Sequence, residues 1–474
     1  MRVRIRRRAE RSIHAVAIPV AGAEAVPPRF AEAARAAGFD GRRGSACLVH
    51  APPGRVLLVG VGDAPGTDAA RGAGAAAAHH LSDARRIAID ATALPSALAA
   101  ALAEGAALRA WHGARYRSLP DPEAPALTAC DILAEDPHET ERLWQSAEAA
   151  VVGTAFARDL VLAPGNKLTP RNFAAHLSRL SDAGVTVEVV NAARLRALGM
   201  GGLLAVGAGS AFAPRLIVLR WRGAFDAPPV AFVGKGITFD TGGVCIKPAA
   251  GMEDMRADMA GAAACAGAML ALALRRSPAP AAAVLAVAEN ATGAASYRPG
   301  DIVRTYPGTT VEVIDTDAEG RLVLADALAY TVAQVRPRAI VDLATLTGSI
   351  VSALGSVMAG LFANDPALAA KVAAAGAAVG EPAWWMPIGD SHRADLDSDV
   401  ADLRQCLTGR RQPDACHAAA FLREFVGDTP WAHLDIAGVE DKAEADETAP
   451  RGPTGFGVRL LDRLVAQSFE DPEA

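Results

Sequence analysis

PVAFVGKGITFDTGGVCIKPAAGMEDMRADMAGAAACAGAMLALAL, residues 229–274, decides how the larger part of this chain folds. VAFVG is a run of apolar residues with no polar alternation, as expected of a strand buried on both faces. Glycine-punctuated turns follow it, and from Met259 to Leu274 the chain is alanine-rich and apolar enough to predict a buried helix. That stretch falls short of the ~20 residues a membrane helix requires. Working outward, further strands are predicted at VTVEVVN (185–191), PRLIVLRW (214–221), AAAVLAVAE (281–289), TVEVID (310–315) and RAIVDLATL (338–346), with helical sequence between them. Strands alternating with helices predict an α/β fold with a mostly parallel sheet flanked by helices.

The chain has 474 residues, 51% hydrophobic and 21% charged, which is more than one ordinary core accommodates and argues against disorder. A small N-terminal α/β domain is expected over residues 1–150, and the larger C-terminal domain over 151–474. RVLLVGVG (55–62) and ARRIAIDA (84–91) read as buried strands, and Leu94 to Leu108 as a helix. The VGVGDAPG turn carries Pro65 where a dinucleotide loop needs glycine, so a plain strand-end turn is the better reading. Ser118 to Glu139 reads as a connector, followed by a linking helix over about 140–162. The N-terminus MRVRIRRRAERS is basic and the following HAVAIPVAGAEA is apolar, a weak likeness to a signal peptide. His14 and Pro19 interrupt it, and strands suit both parts. Six cysteines without C-x-x-C spacing predict free thiols in a reducing cytoplasm rather than disulfides or a thiolate zinc site.

Chemistry is concentrated in two segments. In VEVIDTDAEGRLVLADAL (311–328), an extended chain would project Asp315, Asp317 and Glu319 to one side, at the end of an apolar strand. Converging carboxylates repel one another and must be protonated or meet cations. The opening segment brings Lys235, Asp240, Lys247 and Asp258. Taken singly, Asp258 reads as a helix cap and the lysines as surface or ion-pair cations. Two lysines and four carboxylates in apolar, glycine-rich surroundings point instead to hard or borderline divalent ions, two of them given so many carboxylates. A phosphate-binding loop is the weaker reading, because the carboxylates would repel phosphate and G-x-x-x-x-G-K-[ST] is absent. His392, His417 and His433 lie away from these motifs and read as core or surface residues.

VGKGITFDTGGVCIKP together with DTDAEGRL resembles the leucyl aminopeptidase family of two-metal exopeptidases. The resemblance extends to RDLVLAPGNKLTP (158–170), GMGGLLAVGAGS (199–210), DLATLTGS (342–349), WAHLDIAG (431–438) and GPTGFGVRLL (452–461), covering about residues 150–465. It implies a catalytic metallopeptidase domain holding two divalent ions, Zn²⁺ or Mn²⁺. Asp240 and Glu319 would bridge the ions, Lys235 and Asp258 complete one shell, and Asp317 the other. It further implies that Lys247 acts as electrophile toward the peptide carbonyl and that Arg321 anchors a bicarbonate general base, with Gly320 permitting a tight turn toward the centre. A hydroxide bridging the metals would be the nucleophile, peptides with a free N-terminus the substrates, and a homohexamer the assembly.

Two positions depart from the family pattern. Asp315 stands where asparagine is expected, and an extra carboxylate there is predicted to alter metal or substrate preference. PDACHAAAFL (413–422) is less glycine-rich than expected. The net charge of -6 argues against a broad nucleic-acid surface, and the basic run from Arg2 to Arg11 reads as a solvated strand face.

Overall fold

The structure, a computed structural model, describes residues 1–474 apart from 11–12, 52–53, 114–115, 119–124, 307, 408, 410–411, 446–448 and 472–474. The chain divides into two compact units. The first comprises Met1–Val151 with Lys442–Gly452, the second Val152–Asp441 with Pro453–Ala474. The helix Pro137–Leu162 carries the chain from one to the other.

The first unit is built on a six-stranded sheet in the order β1-β6-β5-β2-β4-β3. Its strands are β1 (Arg2–Arg6), β2 (Ala15–Val20), β3 (Ala46–Ala51), β4 (Gly54–Gly60), β5 (Arg86–Asp90) and β6 (Ala129–Leu133). All neighbours are parallel except β3 and β4. Both parts of the basic and apolar N-terminus are therefore strands. The expected connector at 118–139 differs: its residues 119–124 lie outside the described residues, and its later part is β6, buried along its whole length. Asp131 does not break this strand because Arg4, Arg6 and Arg86 surround its buried carboxylate.

The second unit holds an eight-stranded sheet in the order β15-β14-β17-β13-β9-β10-β8-β7. These are β7 (Thr186–Val190), β8 (Arg215–Trp221), β9 (Val230–Asp240), β10 (Ala281–Asn290), β13 (Ala339–Ala344), β14 (Ala359–Ala363), β15 (Ala383–Trp385) and β17 (Trp431–Asp435). The central run β17-β13-β9-β10 is parallel, and antiparallel pairs flank it. A small sheet of β11 (Ile302–Arg304), β12 (Thr310–Glu312) and β16 (Leu403–Arg404) lies apart. The α/β architecture expected from the alternating pattern is borne out.

Successive residues of β9 enter different cores, which is why its apolar run is continuous. Val230 and Phe232 pack with the helix Ala260–Leu274, whereas Ala231 and Val233 pack with the helix Glu319–Tyr330. A Cβ on Gly234 would stand 2.5 Å from Ala262 Cα, and one on Gly261 would stand 2.0 Å from the Leu343 carbonyl oxygen. Small residues thus let the first helix lie directly on β9 and β13. That segment runs further than expected: with a preceding 3-10 turn, Met252–Leu274 is 23 residues, long and apolar enough to cross a membrane. Of its most apolar stretch 89% is buried inside the protein, so its apolarity serves the core.

Candidate metal centre

Six of the seven expected residues line one cavity of about 250 Å³: Lys235, Asp240, Lys247, Asp258, Asp317 and Glu319. They arrive on different elements. Lys235 lies within β9 and Asp240 ends it, Asp258 lies just before the helix Ala260–Leu274, and Glu319 opens the helix Glu319–Tyr330. Each lysine nitrogen sits between two carboxylates. Lys235 Nζ is 2.6 Å from Asp258 Oδ1 and 2.8 Å from Glu319 Oε1, and it donates to the Thr345 carbonyl at 2.8 Å. Lys247 Nζ is 2.9 Å from Asp240 Oδ2 and 2.5 Å from Asp317 Oδ1.

Local geometry corrects three sequence expectations. The strand expected over 310–315 ends at Glu312, and Asp315 lies in a turn. Its Oδ1 accepts the Asp317 amide at 2.9 Å, and its carbonyl accepts the Ala318 amide at 3.2 Å. Side-chain alternation therefore does not apply. Asp317 and Glu319 converge because the chain turns and starts a helix, while the Asp315 carboxylate folds back on its own loop. An asparagine oxygen could accept the same bond. Gly320 is helical, and its service is space: a Cβ there would lie 2.8 Å from Lys235 Cε. The Asp258 side chain caps no helix: it accepts from Thr345 Oγ1 at 2.7 Å and pairs with Lys235.

The D-T-G-G turn after β9 docks on D-T-D. Gly242 and Gly243 have φ of 84° and 67°, in the region that favours glycine. Thr316 Oγ1 accepts the Cys245 amide at 2.9 Å and donates to the Gly242 carbonyl at 2.6 Å. Asn290, which sequence reasoning missed, donates to Asp240 Oδ1 at 2.7 Å and to the Thr316 carbonyl at 3.0 Å. It fixes one carboxylate oxygen and leaves the other toward the cavity. A Cβ on Gly242 would lie 2.6 Å from the Cys245 carbonyl and 2.9 Å from Asp317 Oδ1. Gly242→Ala is expected to cost about 1–2 kcal/mol through strain and to weaken divalent-ion binding by displacing Asp317. Thermal melts and metal titration of the purified variant check both.

The electrostatics call for protons or for positive charge beyond the two lysines. Burial and the neighbouring Asp240 push the Asp317 carboxyl up to about 7. The same causes raise Glu319, and burial, despite Lys235, raises Asp258. Asp258 Oδ2 and Glu319 Oε2 are buried without a hydrogen-bond partner. Asp240, Asp317 and Glu319 offer oxygens within 4.8 Å of one another, an all-oxygen set suited to divalent ions. The buried orphan oxygens and the mutual repulsion both fit resident metal, which would relieve them.

Arg321 is buried and lies outside the lining of this cavity. Its guanidinium pairs with Asp414 Oδ1 at 2.8 Å and donates to the Gln405 carbonyl at 3.2 Å. Asp414 belongs to the PDACHAAAFL departure, which therefore supplies a carboxylate to this arginine. The three histidines stay apart from the cluster, as expected. His417 meets Asp395, His433 meets Asp342, and His392 accepts the Gly389 amide. Sequence reasoning also missed Glu440, which lines the cavity and is pushed up to about 8 by burial, and the apolar wall of Met255, Leu346, Val351 and Ala437.

Comparison with known proteins agrees along both units. Models described as "Cytosol aminopeptidase family, catalytic domain" and "Cytosol aminopeptidase family, N-terminal domain" match residues 155–462 and 21–120. A probable cytosol aminopeptidase of Methylobacterium radiotolerans is 43% identical, covering 96% of this chain and 92% of its own. One from Rhizobium etli is 44% identical, covering 95% and 94%. Among solved structures, the bottromycin maturation enzyme BotP in complex with Mn superposes with a TM-score of 0.87 at 36% identity, covering 96% of this chain and 99% of that one. A mutant of tomato leucine aminopeptidase gives a TM-score of 0.88 at 33% identity, covering 99% and 97%.

Proposed function

Because the chain belongs to the cytosol aminopeptidase family of metal-dependent peptidases, we propose that it releases N-terminal residues from peptides at the cluster between Lys235 and Glu319. The domain expected at 151–474 would carry this work. Asp240, Asp258, Asp317 and Glu319, with Lys235 as the neutral amine, would hold two divalent ions, zinc or manganese. Once bound, these supply Lewis acidity that acidifies a water and polarises the scissile carbonyl. The observation that carries the reading is the crowding of buried, partly unpartnered carboxylates around two lysines in one cavity.

The chain's own side chains account for the rest. Burial opposes the Lys247 ammonium, but Asp240 and Asp317 hold its pKa above the ordinary lysine value, so it stays charged at neutral pH. A charged donor at the cavity wall is suited to a carbonyl oxygen that gains negative charge. Met255, Leu346, Val351 and Ala437 offer an apolar wall to the side chain of the first residue. A free α-amine meets a carboxylate-rich floor, whereas an acetylated one has lost its charge and basicity. We read Arg321 as the holder of an anion, and Asp414 already fills that role. Asp414 and the Gln405 carbonyl take the two terminal nitrogens of Arg321 and leave Nε without a partner, and no step is routed through bicarbonate.

The chain is expected to hydrolyse an unblocked leucyl peptide, to lose that activity in chelator, and to regain it with Mn²⁺ or Zn²⁺. Cleavage of the N-acetylated peptide at a comparable rate, or full activity in chelator, would refute the proposal. Residence in the cytoplasm and a six-copy assembly belong to the same reading. Light scattering that returns a stable monomer would remove the assembly from it.

A further inference from the structure

None of the basic N-terminal run lines the metal centre, yet Arg2 and Arg4 from it help to line a cavity of about 810 Å³ in the first unit. The cavity lies where β1, β2, β4, β5 and β6 begin. Arg2, Arg4, Arg55, Arg85, Arg86 and His14 line it, and among the described residues no carboxylate does. The neighbouring acids sit behind the guanidinium groups. Arg55 makes a two-point pair with Asp83 at 2.8 and 2.9 Å, and Arg86 holds Glu10 at 2.8 Å and Asp131 at 3.4 Å. Arg4 and the adjacent Arg6 share the same two acids, Glu10 and Asp131. Arg2 and Arg85 make no ion pair among the described residues, and both are exposed.

Five guanidinium groups thus line one concavity, and even counting the three carboxylates that pair with some of them a positive surplus remains. A solvated basic face would leave arginines splayed. Here carboxylates hold Arg55 and Arg86 by hydrogen bonds as short as 2.8 Å, while Arg2 and Arg85, without an ion pair among the described residues, can offer their planar forks to phosphoryl oxygens in pairs. The volume suits a small ligand. Among the described residues no Phe, Tyr or Trp lines the cavity, so its recognition rests on charge rather than on a large aromatic platform.

We propose that this arginine-lined cavity is a binding site for a compact polyanion carrying two or more linked phosphoryl groups. The inference is independent of the peptidase reading, since none of these residues lines the metal centre. Equilibrium dialysis of labelled tripolyphosphate and of ATP against the full chain tests it, at about 50 mM salt where surface charges are weakly screened. Three proteins are compared: the native chain, Arg2→Ala/Arg85→Ala, and Glu319→Ala, the last controlling for phosphate captured by site metal. Saturable binding is expected in the native chain and in Glu319→Ala, weakened at least about tenfold in the double variant by loss of charge-assisted contacts. The double variant should keep native leucyl-peptide hydrolysis, which certifies its fold. Equal binding of both ligands identifies the linked phosphates as the recognised group, and tighter ATP identifies a nucleotide source. Binding lost in Glu319→Ala but kept in the double variant would overturn the proposal. So would no saturable binding below about 1 mM, or a duplex DNA that binds and is not displaced by tripolyphosphate.

Discussion

Replacing Glu319 with alanine is expected to slow release of an unblocked N-terminal leucine by at least about a thousandfold, with the fold intact. Glu319 is buried, lies 2.8 Å from Lys235 Nζ, and belongs to the three-carboxylate group with Asp240 and Asp317. Without it that group keeps only two carboxylates, and the ion it helps to hold loses a charged ligand. The fold should not suffer, because Glu319 sits at a cost: burial and the Asp240 charge raise its pKa. Lys235 would keep Asp258 and the Thr345 carbonyl as partners. In chelator, therefore, the variant should melt no lower than the native chain. Its bound manganese, counted by mass spectrometry, should fall together with its activity. Retention of a tenth or more of the activity at full metal loading would contradict this assignment. Glu319→Gln separates charge from shape and should behave like the alanine variant in activity.

The largest effect on stability is expected from Asp342→Ala. Asp342 lies on β13 with no exposure, and it accepts from both the Trp431 indole and the His433 imidazole at 2.6 Å. Both donors are on the adjacent strand β17 and are themselves buried. Removing the carboxylate leaves two buried donors unpaired and one imidazolium without its counter-charge, a loss of about 3–5 kcal/mol. The melting temperature should fall by roughly ten degrees.

The same pair gives a pH dependence with a definite sign. Burial opposes the His433 imidazolium, but Asp342 more than offsets this and holds its pKa above the ordinary histidine value. A group raised in the folded state contributes stability that is fully present below its unfolded pKa of about 6.5. That contribution is lost as pH rises through the folded value. Native melts should therefore decline from about pH 6 to 9, and melts of Asp342→Ala should decline less. A native profile that rises over this window would contradict the sign.

Much of the frame was legible because burial on both faces forces a continuous apolar run. PVAFVGKG, AAAVLAVAE and RAIVDLATL are all central strands of the large sheet. β6 was hidden because its Asp131 looks like a loop residue until three arginines are seen to enclose it. Asp315 was misjudged because an extended chain was assumed where an Asx-type turn forms. Asn290 and Asp414 were invisible for another reason: each contacts its partner from about 50 to 93 residues away along the chain.

By itself the sequence determined the α/β class, the family and the set of acids and lysines that crowd one centre, since residue type and local spacing carry those. Tertiary structure decided how they are paired. It alone divided the carboxylates between Lys235 and Lys247, answered Arg321 with Asp414, excluded Asp315 from the cluster, and brought Arg2 and Arg4 together with Arg55, Arg85 and Arg86 around a second cavity. Pairing of charges depends on distances of a few ångströms between segments far apart in the chain, where burial makes each unmatched charge costly. No local pattern encodes those distances.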